Sequence, residues 1–208
     1  MGSPGSLHPV PPGSRRSIGE DFAHVLAAAR AGEAWAWTHL YEALSPAVAG
    51  YLRVQGARDV DDLTSEVWLG VFRAIARFEG DEAQFRSWVF VIAHNRLVDE
   101  RRRTGRRPQD LVESDALERL APVTEDPAAN SALLARERVE ALCAQLSPDQ
   151  RDAVLLRVVA DLPNAEIAAA LGKNEGAVRV LLHRGLGRLR ELLADEQGGD
   201  ALQGGVTQ

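Results

Sequence analysis

A chain of 208 residues has room for one large domain or two small ones. Its 45% hydrophobic content is ordinary for a globular protein, and no apolar run is long enough to span a bilayer. A formal net charge of −6 argues against indiscriminate attachment to nucleic acid.

Residues 1–17 are rich in Pro, Gly and Ser, with Arg15 and Arg16 late and no apolar core. They read as a disordered tail, not a signal peptide, so the expected location is the cytoplasm. A first helix is predicted over about 20–31, with Phe22, Val25, Leu26 and Ala29 on one side. A second starts near Glu33 and uses Trp37, Leu40, Tyr41 and Leu44, passing Pro46 into Val48, Tyr51 and Leu52. The third, 59–77, places Leu63, Val67, Val71, Phe72 and Ile75 in the core. The fourth, about 84–103, has Phe85, Trp88, Val89 and Ile92 as its apolar side.

Gly105, Pro108, Pro122 and many acids mark 104–126 as a linker. Asp126 followed by Pro127 opens a new helix, since proline is tolerated in a first turn. Val139, Leu142, Cys143 and Leu146 recur at helical spacing, so the single thiol is expected on an apolar face in a packing role. Ser147, Pro148, Asp149 and Gln150 form a capping box with proline at the first helical position. The helix they open carries Val154, Leu155 and Val158 and ends near Asp161, Leu162 and Pro163.

Residues 164–190 are the most informative stretch. A short helical pattern holds Ile167, Ala168 and Leu171 on one face and stops at Gly172. Asn174 can cap a second helix, with Glu175 favoured in its first turn by the helix dipole. That helix alternates Val178, Leu182, Leu186 and Leu189 with Arg179, His183, Arg184, Arg188 and Arg190. An apolar back and a basic front after a tight turn make a helix-turn-helix suited to a DNA major groove.

The fold class is therefore all-α. A helical domain at 18–105 and a second at 127–195, carrying the helix-turn-helix, are joined by an acidic linker at 106–126, with a second tail at 196–208. Arg96, Arg101, Arg102, Arg103, Arg106 and Arg107 form one basic block and the helix-turn-helix another. Asp59, Asp62 and Glu66 share a helix face. They are dipole-favoured acids at a helix start, a docking face for a basic partner, or, least favoured, a metal cluster for a nuclease. Phe85 and Trp88 beside the arginines fit a surface that stacks unpaired bases, although a core role serves Trp88 better. Asn95 is either a base-reading amide or a solvated one. No Cys/His cluster is present, and no catalytic residue, metal or cofactor is expected.

In order and spacing, the segments around Asp59–Trp68, Phe78–Arg103 and 146–184 resemble the extracytoplasmic-function sigma factors, specificity subunits of bacterial RNA polymerase. The resemblance covers about 20–192. It implies a region 2 domain whose Asp59, Asp61, Asp62, Leu63, Glu66 and Trp68 bind the core polymerase at the β′ clamp helices. It implies minus-ten DNA contacts by Gly80, Asp81, Phe85, His94, Asn95, Arg96, Arg101, Arg102 and Arg103. It also implies a region 4 domain that meets the β flap and reads the minus-thirty-five element with Lys173, Asn174, Glu175, Gly176, Arg179, Val180, His183 and Arg184. The linker would then follow the RNA-exit path, and an anti-sigma factor is a further partner that the resemblance allows. The chain departs from the family pattern at Ser65, where Gln is usual, and at Leu181, where a basic residue is frequent. The alternative from another class is a stand-alone helix-turn-helix repressor.

Overall fold

The computed structural model describes residues 18–19, 21–105 and 127–203, and every regular element among them is helical. The chain divides into two compact units, Met1–Leu44 and Ser45–Gln208. The division falls within a helix. The expected linker at 106–126 and the N-terminal tail at 1–17 lie outside the described residues.

In the first unit, α1 (Phe22–Arg30) buries Phe22, Val25, Leu26 and Ala29, the four positions its periodicity picks out. Helix α2 (Ala34–Val54) begins in this unit, and its Trp37 Nε1 donates to the Ala29 carbonyl at 3.0 Å. His39 Nε2 donates to the Ile18 carbonyl at 3.0 Å. Tyr41, expected in the core, is exposed. Leu40 and Leu44 take the buried stripe, and Tyr41 lies one residue off it.

In the second unit, α2 continues through Pro46 and buries Val48, Tyr51 and Leu52. Helix α3 (Val60–Ala74) is capped by Asp59, whose Oδ1 accepts from the Asp62 amide at 2.9 Å, and ends in a 3-10 turn over Ile75–Arg77. Helix α4 (Glu82–Thr104) opens on a full capping box: Asp81 accepts from the Gln84 amide while the Gln84 side chain accepts from the Asp81 amide. α3 packs on α4 at Gly70, where an added Cβ would lie 3.2 Å from Ile92 Cγ2 and 3.6 Å from Arg96 Nη2. Phe78, Phe85 and Trp88 meet with ring centroids 5.0–5.7 Å apart. Phe72, assigned to the core by spacing, is 59% exposed. The buried stripe of α3 runs through Leu63, Val67, Val71 and Ile75, and Phe72 falls on the far side of the cylinder.

The remaining helices are α5 (Pro127–Ala144), α6 (Pro148–Val158), α7 (Asn164–Leu171) and α8 (Glu175–Gln203). The expected capping box at Ser147 and Gln150 is present. Arg151 is buried and its Nε donates to the Cys143 carbonyl at 3.0 Å, tying the end of α5 to α6. Cys143 is buried, and burial pushes its thiol above the ordinary range, as a packing role requires. Val139 and Val158, placed on apolar faces by spacing, are exposed. Backbones approach closely where α6 crosses α8: a Cβ on Gly185 would lie 2.7 Å from Val154 Cγ2. α8 runs on to Gln203, into the stretch that composition reads as a tail.

Candidate nucleic-acid interface

α7 ends at Gly172, whose φ of 61° and ψ of 34° place it in the left-handed region that glycine enters freely. The Lys173 amide then returns to the Ala168 carbonyl at 2.9 Å, which turns the chain tightly. Asn174 caps α8, its Oδ1 accepting from the Ala177 amide at 2.8 Å. Val178 and Leu182 are buried, so α8 is held from one side. On the other side Glu175, Gly176, Arg179, Val180, His183 and Arg184 are all exposed. Lys173 is half-buried and bonds Asp149 Oδ2 at 2.8 Å, which fixes the turn to the start of α6. The eight residues expected to meet duplex DNA thus lie between 173 and 184, with the turn pinned and the outer face of α8 open.

The α4 candidates divide differently. Asn95, Arg102 and Arg103 are exposed, and half-buried Arg96 lies over Gly70. Gly80 and Asp81 are exposed, but the Asp81 carboxylate is engaged in the cap. Phe85 has no exposed surface, and His94 is only 4% exposed. Neither offers a face to a base, which corrects the stacking role expected of Phe85 and the contact expected of His94. His94 Nδ1 lies 2.9 Å from the Tyr51 hydroxyl. Burial is the chief cause that holds His94 below its ordinary value, with Asp152 opposing and Arg101 reinforcing the shift. Burial, aided by Asp152, holds the Tyr51 hydroxyl well above the phenol range. Arg101 is committed too: its Nη2 donates to the Gln55 carbonyl at 2.7 Å and to Gln55 Oε1 at 3.2 Å.

On α3, Asp59 is a helix cap, and Leu63 and Trp68 are buried, so these three position the helix instead of lining its surface. Asp61 and Asp62 are exposed, and half-buried Glu66 lies 3.7 Å from Arg103 Nη2. Spacing did not pick out Leu69, which is 53% exposed and, with Phe72, shares the solvent face of Asp62 and Glu66. Angular placement against the buried stripe was the signal that could have found this apolar pair. Among the described residues, no group of three or more His, Cys, Asp or Glu side chains gathers as a metal site. No helix among them is long and apolar enough to cross a membrane.

An all-helical chain with a capped, basic helix-turn-helix is in the class of DNA-binding transcription proteins. Comparison with known families makes this specific. Residues 40–107 match Sigma-70 region 2, and residues 136–189 match Sigma-70 region 4. The ECF RNA polymerase sigma factor SigD of Mycobacterium tuberculosis is 31% identical over 182 residues, 83% of this chain and 84% of that protein. CarQ of Myxococcus xanthus, an RNA polymerase sigma factor, is 33% identical over 80% of this chain and 94% of its own length. BldN of Streptomyces coelicolor, an ECF sigma factor, is 34% identical over 81% of this chain, which spans 64% of BldN. The fold is similar to that of CnrH, solved in complex with the cytosolic domain of CnrY, with a TM-score of 0.58 and 24% identity over 85% of this chain and 99% of that one. The chain belongs to the ECF RNA polymerase sigma factor family, and the stand-alone repressor is not favoured.

Proposed function

We propose that the chain is a non-enzymatic specificity subunit that binds core RNA polymerase in the cytoplasm, selects promoters and assists their opening. The observation that carries this is the match of residues 40–107 to Sigma-70 region 2 and of 136–189 to Sigma-70 region 4, with polar and charged residues on the open faces of α3, α4 and α8 within those segments. α3 presents Asp61, Asp62 and Glu66 beside Leu69 and Phe72, a mixed acidic and apolar face for docking on the β′ clamp helices. α4 presents Asn95, Arg96, Arg102 and Arg103 toward melted minus-ten DNA, with arginines to follow phosphates and an amide to read a base edge. α8 presents Arg179, Val180, His183 and Arg184 to the major groove of the minus-thirty-five duplex.

Run-off transcription with core polymerase on a promoter pool tests the proposal. The native chain is expected to direct transcripts from a defined promoter subset. The substitution Asp62→Lys, at an exposed position, should weaken core binding in a pull-down while the melting curve shifts only modestly, and adding Glu66→Lys, which also breaks the ion pair with Arg103, should weaken binding further. Unaltered core affinity would remove the docking role from α3.

A further inference from the structure

Of the 24 Lys and Arg residues in the chain, one is a lysine, Lys173, and the rest are arginine. A guanidinium keeps its charge under all ordinary conditions, whereas an ε-amine can be acylated and so lose it. The chain therefore carries a single side chain whose positive charge acylation can remove, and it stands in the turn of the helix-turn-helix. Its Nζ lies 2.8 Å from Oδ2 of Asp149, in the first turn of α6, and this pair joins the turn to α6. The turn itself is held by its backbone, through left-handed Gly172, the bond from the Lys173 amide to the Ala168 carbonyl, and the Asn174 cap. Loss of the side-chain pair thus frees the turn from α6 without unfolding it. The amine is also reachable. The Lys173 side chain keeps 28% of its surface exposed and lines an open cleft of about 670 Å³, a size that admits a small molecule.

We propose that Lys173 is an acylation site, modified by an activated acyl group of the thioester or acyl-phosphate class, and that the modification turns down recognition of the minus-thirty-five duplex. The ammonium first gives a proton to solvent. The Nζ lone pair then attacks the acyl carbonyl carbon and a C–N bond forms. The bond from that carbon to sulfur or to the phosphate oxygen breaks, and thiolate or phosphate leaves with its electrons. The second proton on nitrogen passes to solvent, and a neutral amide remains. That amide no longer attracts Asp149, whose exposed carboxylate is left uncovered beside the turn. A lost cation and an uncovered anion both oppose the approach of phosphate. The site rests on the sequence and on these contacts, whereas its effect on DNA rests on the α8 role proposed above.

Incubation of the full chain with acetyl phosphate, and in a second arm with acetyl-coenzyme A, followed by tandem mass spectrometry, tests the site. Acetyl on Lys173 is expected, and the arm in which it forms identifies the donor class. No acetyl on Lys173 in either arm would overturn the site. The effect is read on holoenzyme assembled with core polymerase, by fluorescence anisotropy of a labelled promoter duplex. The acetylated chain should bind about fivefold more weakly than the untreated one at roughly 0.15 M salt, the share of one phosphate contact, and Lys173→Gln should weaken binding likewise. Lys173→Arg keeps a cation that does not take up the acyl group, so treatment should leave its affinity where it was. Unchanged binding by the acetylated chain, or an equal loss in treated Lys173→Arg, would overturn the regulatory role. If acetylation costs helicity, Lys173→Gln decides that role alone. Failure of the untreated holoenzyme to select any promoter would instead overturn the sigma-factor reading itself.

Discussion

α4 and α8 are both capped helices with arginines on them, yet they use their sequences differently. α4 is packed from two sides. Phe85, Val89, Ala93 and Leu97 fill one stripe, and Phe90 and His94 are buried on the adjoining one. α8 meets α5, α6 and α7, but its buried positions, Val178, Leu182 and Gly185, fall on a single stripe. A helix clasped from two directions leaves a narrow strip for recognition, so neighbouring residues in its motif become structural. A helix clasped from one direction can present its whole front. Buried and exposed positions are therefore interleaved along α4, at spacings of one residue, and more cleanly separated on α8.

The largest effect that follows is on stability. Phe85→Ala removes a fully buried ring that contacts Phe78 and Trp88. It should cost about 3–5 kcal/mol in chemical denaturation, as large-to-small changes in packed cores do. A loss below about 1 kcal/mol would mean that Phe85 is free to leave the core, and its base-stacking role would return.

This difference also explains what the sequence disclosed. Helix order, the capping box at Ser147, the Asn174 cap and the Gly172 turn all depend on neighbours within four residues and could be read directly; the capping box at Asp81 is just as local but was missed. The exposed front of α8 was legible for the same reason, because a single buried stripe leaves a single complementary face. His94 and Arg101 are held by partners distant in sequence, Tyr51 at 43 residues and Gln55 at 46, which no local pattern reports; Phe85 packs on its near neighbours Phe78 and Trp88 and is buried with them. No local period reports a second packing neighbour. Tyr41 and Phe72 failed in the opposite sense, as large apolar residues beside a stripe that is already filled. The linker at 106–126 stays an expectation, as it lies outside the described residues.

A smaller effect sharpens the comparison through pH. His94 is held below its ordinary value of 6.5 by burial, so the folded protein favours the neutral ring more than the unfolded chain does. Between the lowered folded value and 6.5 the unfolded chain binds more protons. The contribution of His94 is thus fully present above about pH 6.5 and is lost as pH falls from there through the folded value. Denaturation midpoints of the native chain should drop over this window, and His94→Gln should flatten the dependence. α8 offers the control: His183 is exposed, and His183→Gln should leave the slope as it was. A native profile that is flat below pH 6.5 would place His94 in contact with water.

The smallest stability effects belong to the exposed residues proposed to meet DNA, and for that reason they test function in isolation. Arg179, Arg184 and Asn95 are exposed, so alanine at any of them should keep stability within about 0.5 kcal/mol of native. Their consequences for promoter choice should differ. Arg179 lies early on α8, one turn beyond the Asn174 cap, where a recognition helix meets base edges. Arg179→Ala should reduce discrimination at one or two upstream positions by about 1–3 kcal/mol, read as altered preference across a promoter library. Arg184 stands further along, where phosphate contact dominates, and Arg184→Ala should weaken all promoters alike and lower the salt dependence of binding. Asn95→Ala should leave core affinity and upstream preference unchanged but slow promoter opening, scored by permanganate reactivity of the minus-ten thymines, because a flipped base would lose a hydrogen-bond partner. If Asn95→Ala shifts upstream preference, or Arg179→Ala slows opening without changing it, the two helices do not have separate readouts. The contrast between a helix clasped from two sides and one clasped from a single side would then be structural only.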